Sequence, residues 1–213
     1  MKKILCPIDF SEPAKNGMEY AANLAQALGE SLTLLYVRQS IWPEAIQLEK
    51  EVLESNEELG ARLLLFVNEI QNEFGIPCHY HIAQTTGTME EAVAEFASDF
   101  DLIVMGTNGA DNYYQYAFGT HSFHVIEKSK CPVLVIPESY AYRPIKMLVY
   151  AYDPDTNPIF LIDQLRKLVT SLNASVKVLH VLNKKPTEEA KRKLAVLNEA
   201  IRARAPQKYF LEF

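Results

Sequence analysis

The sequence predicts an α/β protein: a doubly wound, five-stranded parallel sheet in residues 1–140, followed by a partial second copy in 144–213. Three observations carry that expectation. Nearly continuous apolar runs alternate with segments of helical periodicity, the pattern of a parallel sheet covered on both faces. The helical segments are punctuated by capping residues and by glycines. The opening strand–helix–strand pattern then returns 144 positions later in one unbroken register.

The first strand covers residues 3–8 and stops at Asp9. Ser11 supplies an N-cap oxygen, with Glu12 and Pro13 in the first helical turn. Met18, Ala21, Ala22, Ala25 and Leu28 follow at helical spacing until Gly29 ends the helix. A second buried strand spans 32–37. A long helical region runs from 43 to 74 and closes at Gly75, with Gly60 marking a kink or break and Glu49, Glu51, Glu54, Glu57 and Glu58 forming a solvated face. The third strand spans 78–83. Thr88 and Glu91 make a capping box for a helix reaching Ala97. The fourth strand is 102–105, and a helix over 120–128 leads to a fifth at 132–136.

Past a bridge at 137–144, residues 148–152 followed by Asp153 echo 4–8 followed by Asp9. The same shift sets Asn173 on Gly29, both tolerant of a left-handed helix end. It also sets the strand 175–181 on 31–37. A helix over 187–205 and a strand over 209–213 complete this part, and nothing in it matches the fourth strand, the glycine loop or the fifth strand.

Composition narrows the function classes. At 213 residues the chain is long for one domain of ~100–150 residues and short for two. Hydrophobic residues at 48% and charged residues at 23% indicate a folded soluble protein. A formal charge of −6, without a local basic patch, argues against nucleic acid or an anionic membrane as partner. Pro7 and Asp9 interrupt the apolar N-terminal stretch, which is too short for a signal peptide or a membrane helix. Cys6, Cys78 and Cys131 stand alone among apolar residues and read as reduced thiols of a cytoplasmic protein.

The candidate site lies between Gly106 and Ser122. After the fourth strand come Gly106 and Gly109, then nine residues, then Gly119, Thr120, His121 and Ser122 opening a helix. Glycines let a backbone approach a ligand, and a helix N-terminus offers unpaired N–H groups to a phosphate. With strand order 3-2-1-4-5 the topological switch falls between strands one and four, where Asp9 and Gly106 face each other. Plainer readings stand beside this one. Gly106 and Gly109 serve equally as turn glycines, Thr120 as an N-cap, and Asp9 as a cap shared with Ser11. The pairs His79/His81 and His121/His124 lack a third ligand and read as ordinary histidines.

These residues resemble the universal stress protein family, whose fold is also described as adenine nucleotide alpha hydrolase-like. The resemblance covers 1–137 and, more weakly, 144–213. It rests on the spacing Gly106, Gly109, Gly119, Thr120, on the opening run from Pro7 to Ser11, and on the ending from Lys130 to Pro137. It implies binding of ATP or AMP, with Mg²⁺ as an accompanying ion. Asp9 and the backbone of Val37 would hold adenine, and Pro7 and Gly106 would lie near the ribose. Gly109, Gly119, Thr120, His121 and Ser122 would surround the phosphates. It also implies a homodimer or pseudo-dimer through the fifth strand, residues 133–136 (Val133, Leu134, Val135 and Ile136). The insert 110–118 holds no Lys or Arg but includes Asp111, Tyr113, Tyr114 and Tyr116, suited to a lid or to a partner surface.

Three function classes follow: a non-enzymatic nucleotide-binding protein of stress response or signalling, an interaction module without ligand, and a very slow ATPase. No Walker-type lysine or nucleophile elbow favours the last.

Overall fold

A computed structural model of the chain describes residues 3–39, 55–107, 120–151, 158–179 and 209–212, with helical positions between 188 and 199. The chain divides into two compact units, Met1–Tyr142 and Arg143–Phe213.

The first unit runs β1 (Lys3–Pro7), α1 (Glu12–Leu28), β2 (Ser31–Gln39), α2 (Asn56–Phe74) and β3 (Cys78–Thr85). It continues with α3 (Met89–Phe96), a 3₁₀ turn (Ala97–Asp99), β4 (Leu102–Thr107), α4 (Thr120–Lys128) and β5 (Val133–Pro137). The five strands are parallel in the order β3-β2-β1-β4-β5, as the sequence predicts.

The burial of β1 explains why the sheet is covered on both faces. Ile4, Leu5 and Cys6 are successive residues and all are fully buried. Successive side chains of a strand point to opposite faces, so both faces need a helical layer. Leu5 and Leu35 join Val93, Ala97, Ile103, Met105 and Val125 in one cluster, beneath α3 and α4. Each side chain of this size stabilises the fold by about 1.5–3 kcal/mol when buried. Cys6 and Cys78 are buried free thiols and Cys131 is half-buried. Burial pushes the Cys78 thiol up to about 12 and raises Cys6 as well, leaving both unreactive at neutral pH.

Local caps set the helix ends. The Ser11 hydroxyl accepts the Ala14 N–H at 3.3 Å, and Gly29 closes α1 with φ 67°. Thr88 and Glu91 cap each other at the start of α3. The long helix differs from its expectation of a start at 43. It opens at Asn56, where the Ser55 hydroxyl accepts the Glu58 N–H at 3.1 Å and the Glu58 carboxylate accepts the Ser55 N–H at 2.8 Å. That reciprocal pair is a strong start signal in the middle of a periodic stretch. Residues 43–54, with Glu49, Glu51 and Glu54, lie outside the described residues. Gly60 does not break α2. A Cβ there would sit 3.1 Å from the Tyr80 hydroxyl, so glycine makes room for that ring.

Two glycines set how closely α1 approaches β4. A Cβ on Gly17 would collide with the Gly106 backbone, and a Cβ on Gly106 would collide with the Pro13 carbonyl.

The second unit contains β6 (Met147–Ala151), α5 (Pro158–Leu172), β7 (Ser175–Leu179) and β8 (Tyr209–Glu212), its strands parallel in the order β6-β7-β8. Met147 pairs with Ser175 as Lys3 pairs with Ser31, and the correspondence holds to Ala151–Leu179 against Pro7–Leu35. Asn173 has φ 51° where α1 ends on Gly29. The Ala174 N–H reaches the Val169 carbonyl at 3.1 Å, as the Glu30 N–H reaches Ala25 at 2.9 Å. Among the described residues no helix is long and apolar enough to cross a membrane.

Gly17→Ala must push α1 off β4, and we expect it to cost about 1–3 kcal/mol, a Tm lower by about 2–12 °C. Gly29→Ala meets no neighbour and carries only the left-handed backbone cost of about 1–2 kcal/mol. Thermal unfolding of the two variants checks the contrast, since Gly29→Ala should leave the α1–β4 spacing and the adjoining cleft intact.

Candidate functional site

The cleft is built by a turn that the chain makes immediately after β1. Phe10 adopts φ 67°, a region that bulky residues rarely enter. Its ring holds it there, with centroids 5.5 Å from Tyr36 and 5.7 Å from Phe66 and the Arg62 guanidinium 3.8 Å above it. This turn carries Asp9, whose carboxylate accepts the Ser11 N–H at 3.0 Å and the Ser11 hydroxyl at 2.6 Å. Asp9 therefore braces the N-cap of α1 and also lines the cleft.

β2 forms the second wall. The Ile8 N–H donates to the Leu35 carbonyl at 2.9 Å, and β1 then departs while β2 runs on to Gln39. Peptide groups alternate sides along a strand, so the Val37 N–H and C=O point, like those of Leu35, to the side that β1 has vacated. The third wall is the end of β4, where Gly106 lies against the start of α1. The fourth is the first turn of α4.

These walls enclose a cleft of about 370 Å³ at the carboxyl ends of β1 and β4. Pro7, Asp9, Val37, Gly106, His121 and Ser122 all line it. Thr120 opens α4. Gly109 and Gly119, like Asp111, Tyr113, Tyr114 and Tyr116, lie outside the described residues. Residues that sequence reasoning did not assign to the site also line it: Tyr36 on β2, Met89 and Val93 on α3, and Met105 and Thr107 on β4. Tyr36 adjoins Val37, a usable hint. The α3 residues enter only through packing.

One polar contact was also missed. Glu90, in the first turn of α3, is only 8% exposed, and its carboxylate lies 2.5 Å from His121 Nδ1. In the sequence it reads as one more acidic residue of a helix start. Burial pushes its carboxyl up, but hydrogen bonds from His121, from its own N–H and from Thr88 outweigh burial and hold it below its ordinary value. Next to it Glu91 pairs with Lys128 at 2.6 Å, tying α3 to α4 a second time. His121 thus keeps the exposed position expected of an ordinary histidine and adds a carboxylate partner that the sequence did not show. His81 is stacked on Phe96 at 4.6 Å. Among the described residues no group of three or more His, Cys, Asp or Glu is placed to hold a metal.

The sequence profile of the universal stress protein family matches residues 1–137, most of the chain. The chain belongs to the universal stress protein family. A universal stress protein of Methanocaldococcus jannaschii is 29% identical over 147 residues, covering 63% of this chain and 81% of that one. A universal stress protein of Archaeoglobus fulgidus superposes with a TM-score of 0.71 at 19% identity, over 99% of this chain and 77% of its own. The universal stress protein UspA of Lactobacillus plantarum gives 0.53 at 24% identity, over 63% of this chain and 97% of its own. The two structures bear on the fold alone.

Glu90 has a pH consequence of definite sign. A carboxyl held below its ordinary value of 4.5 stabilises the fold above that pH, and this contribution is lost as pH falls through the lowered value. Glu90→Gln has no such contribution to lose. We expect its Tm to fall less steeply than the parent's below about pH 4.5, measured by thermal unfolding from pH 7 to pH 3.

Proposed function

We propose that this universal stress protein binds an adenine nucleotide, ATP or AMP, in the cleft between β1, β2, β4 and α4, and acts in the cytoplasm in stress response or signalling without catalysis. The observation that carries the reading is Ser122. It is 3% exposed, lines the cleft within the first turn of α4, and its hydroxyl has no hydrogen-bond partner among the described residues. A buried hydroxyl left unpaired costs about 1–3 kcal/mol, and a phosphate would satisfy it. The N-terminus of α4 supplies further N–H groups and a favourable dipole for that phosphate.

The other walls suit the rest of a nucleotide. The Val37 N–H and C=O are a donor–acceptor pair matched to an adenine edge, and Asp9 lies beside them to accept a further hydrogen bond. Pro7 and Gly106 form the floor near the ribose. A Mg²⁺ ion held with the phosphates would offset the charge of Asp9. Gly109, Gly119 and Thr120 complete the phosphate set in this reading. The glycine at 106 is already required by the Pro13 carbonyl, so its identity by itself says nothing about a ligand.

The second unit is read as a degenerate repeat, with domain limits at 1–140 and 144–213. Support comes from the shared strand register and from the same helix-end hydrogen bonds. For assembly, β5 ends the first sheet with one side unpaired among the described residues, and Val133, Leu134 and Val135 are half-buried along it. A dimer through 133–136 would cover that edge.

Mass spectrometry of small molecules released by acid from freshly purified protein tests the nucleotide. An adenine nucleotide should be recovered from the parent and reduced about tenfold or more in Ser122→Ala, which loses a hydrogen bond to a charged group. A parent that releases none and takes up no added Mg-ATP sinks the reading. For assembly, light scattering should give a dimer, and Val135→Pro, which removes an edge N–H, should give a monomer.

A further inference from the structure

The cleft has an unusual charge balance for a phosphate site. Among the described residues that line it there is no Lys and no Arg, and Asp9 brings a negative charge. The sequence from 108 to 119 has no Lys, Arg or His either. Among the described lining residues, His121 is the side chain able to carry positive charge.

His121 is also positioned for that task. It is the second residue of α4, its side chain is 72% exposed, and its Nδ1 is 2.5 Å from the Glu90 carboxylate. Facing a carboxylate, Nδ1 serves as the donor, and Nε2 is the ring nitrogen left for another partner. The buried carboxylate fixes the ring. Ser122, next in sequence, is the buried hydroxyl that lacks a partner among the described residues.

The other charges around the ring leave this pair in control. From α3, Glu91 is neutralised by Lys128 at 2.6 Å. On α4, His124 lies 3.5 Å from Glu127. β5 brings no charged side chain. Across the cleft, Asp9 is engaged by Ser11.

We propose that His121, held by Glu90, is a proton-dependent phosphate contact that makes nucleotide affinity rise as pH falls. This rests on the nucleotide reading of the cleft and adds its regulation. The sign follows from linkage: an anion that favours imidazolium binds fully below the imidazole titration and loses that contribution as pH rises through it. Glu90 is a positioning residue, acting through the ring, and His121 is the group that meets the phosphate.

The experiment is isothermal titration of Mg-ATP at pH 6.0 and pH 8.0 into the parent, His121→Gln, His121→Lys and Glu90→Gln, with circular dichroism to confirm folding. The parent should lose about tenfold in affinity between the two pH values, beyond whatever His121→Gln shows from titration of the nucleotide itself. His121→Lys should show no more pH dependence than His121→Gln, because its cation is permanent. Glu90→Gln should bind more weakly at pH 6.0, and NMR should show its His121 ring without the single fixed orientation it has in the parent. Equal pH dependence in parent and His121→Gln, with binding intact, overturns the inference and leaves the nucleotide site standing. Absence of Mg-ATP binding by the parent at both pH values overturns the site, and this inference with it.

Discussion

The close approach of α1 to β4 is the constraint from which the rest of the first unit follows. Gly17 lets the helix backbone meet the backbone of Gly106, and Gly106 lets β4 meet the Pro13 carbonyl. With α1 seated there, β1 and β4 can pair side by side, and their carboxyl ends diverge around a common opening. A side chain at either position would spread those ends apart. Core packing and cleft shape are thus set by one contact that contains no side chain.

Two further devices convert the opening into a shaped site. The strained Phe10 turn is stabilised from outside the cleft by Arg62 and Phe66 of α2, and it places Asp9 on one rim. On the opposite rim, Glu90 of α3 holds His121 of α4, and Glu91 with Lys128 repeats the link. Each rim is therefore positioned by a helix that contributes little or no chemistry of its own. Of these two contacts, the exposed Glu91–Lys128 pair adds little stability on its own. Their value here is geometric, since they fix the angle at which α4 presents its first turn.

Much of this was legible in the sequence because its signals are local. Ser11, Gly29, Thr88 with Glu91, and Asn173 mark helix ends through their own short-range hydrogen bonds, and the apolar runs mark strands that are covered on both faces. The switch point followed from strand order, and that order set Asp9 against Gly106, while Pro7 and Val37 entered through the family resemblance. What escaped was set by packing between distant segments. Ser55 with Glu58 is a local signal that was overlooked because the periodicity around it continued. Glu90 resembles its exposed neighbour Glu91 until α4 covers it. The Phe10 backbone has no sequence marker, since positive φ is expected of glycine or asparagine and is imposed here by ring contacts.

The pairing of Ile4 with Leu102 has a consequence for how the domain comes apart. The two residues lie far apart in the chain, and contacts of that span form slowly and late, after the loop between them has been closed. The cleft does not exist until that strand pair forms, because one of its walls belongs to each strand. A molecule bound there has nothing to hold in any partly folded form, so it acts on the exit from the native state and scarcely on the entry. Occupancy of the cleft would thus be read as the lifetime of the folded protein, and its resistance to proteolysis would record whether ligand is at hand.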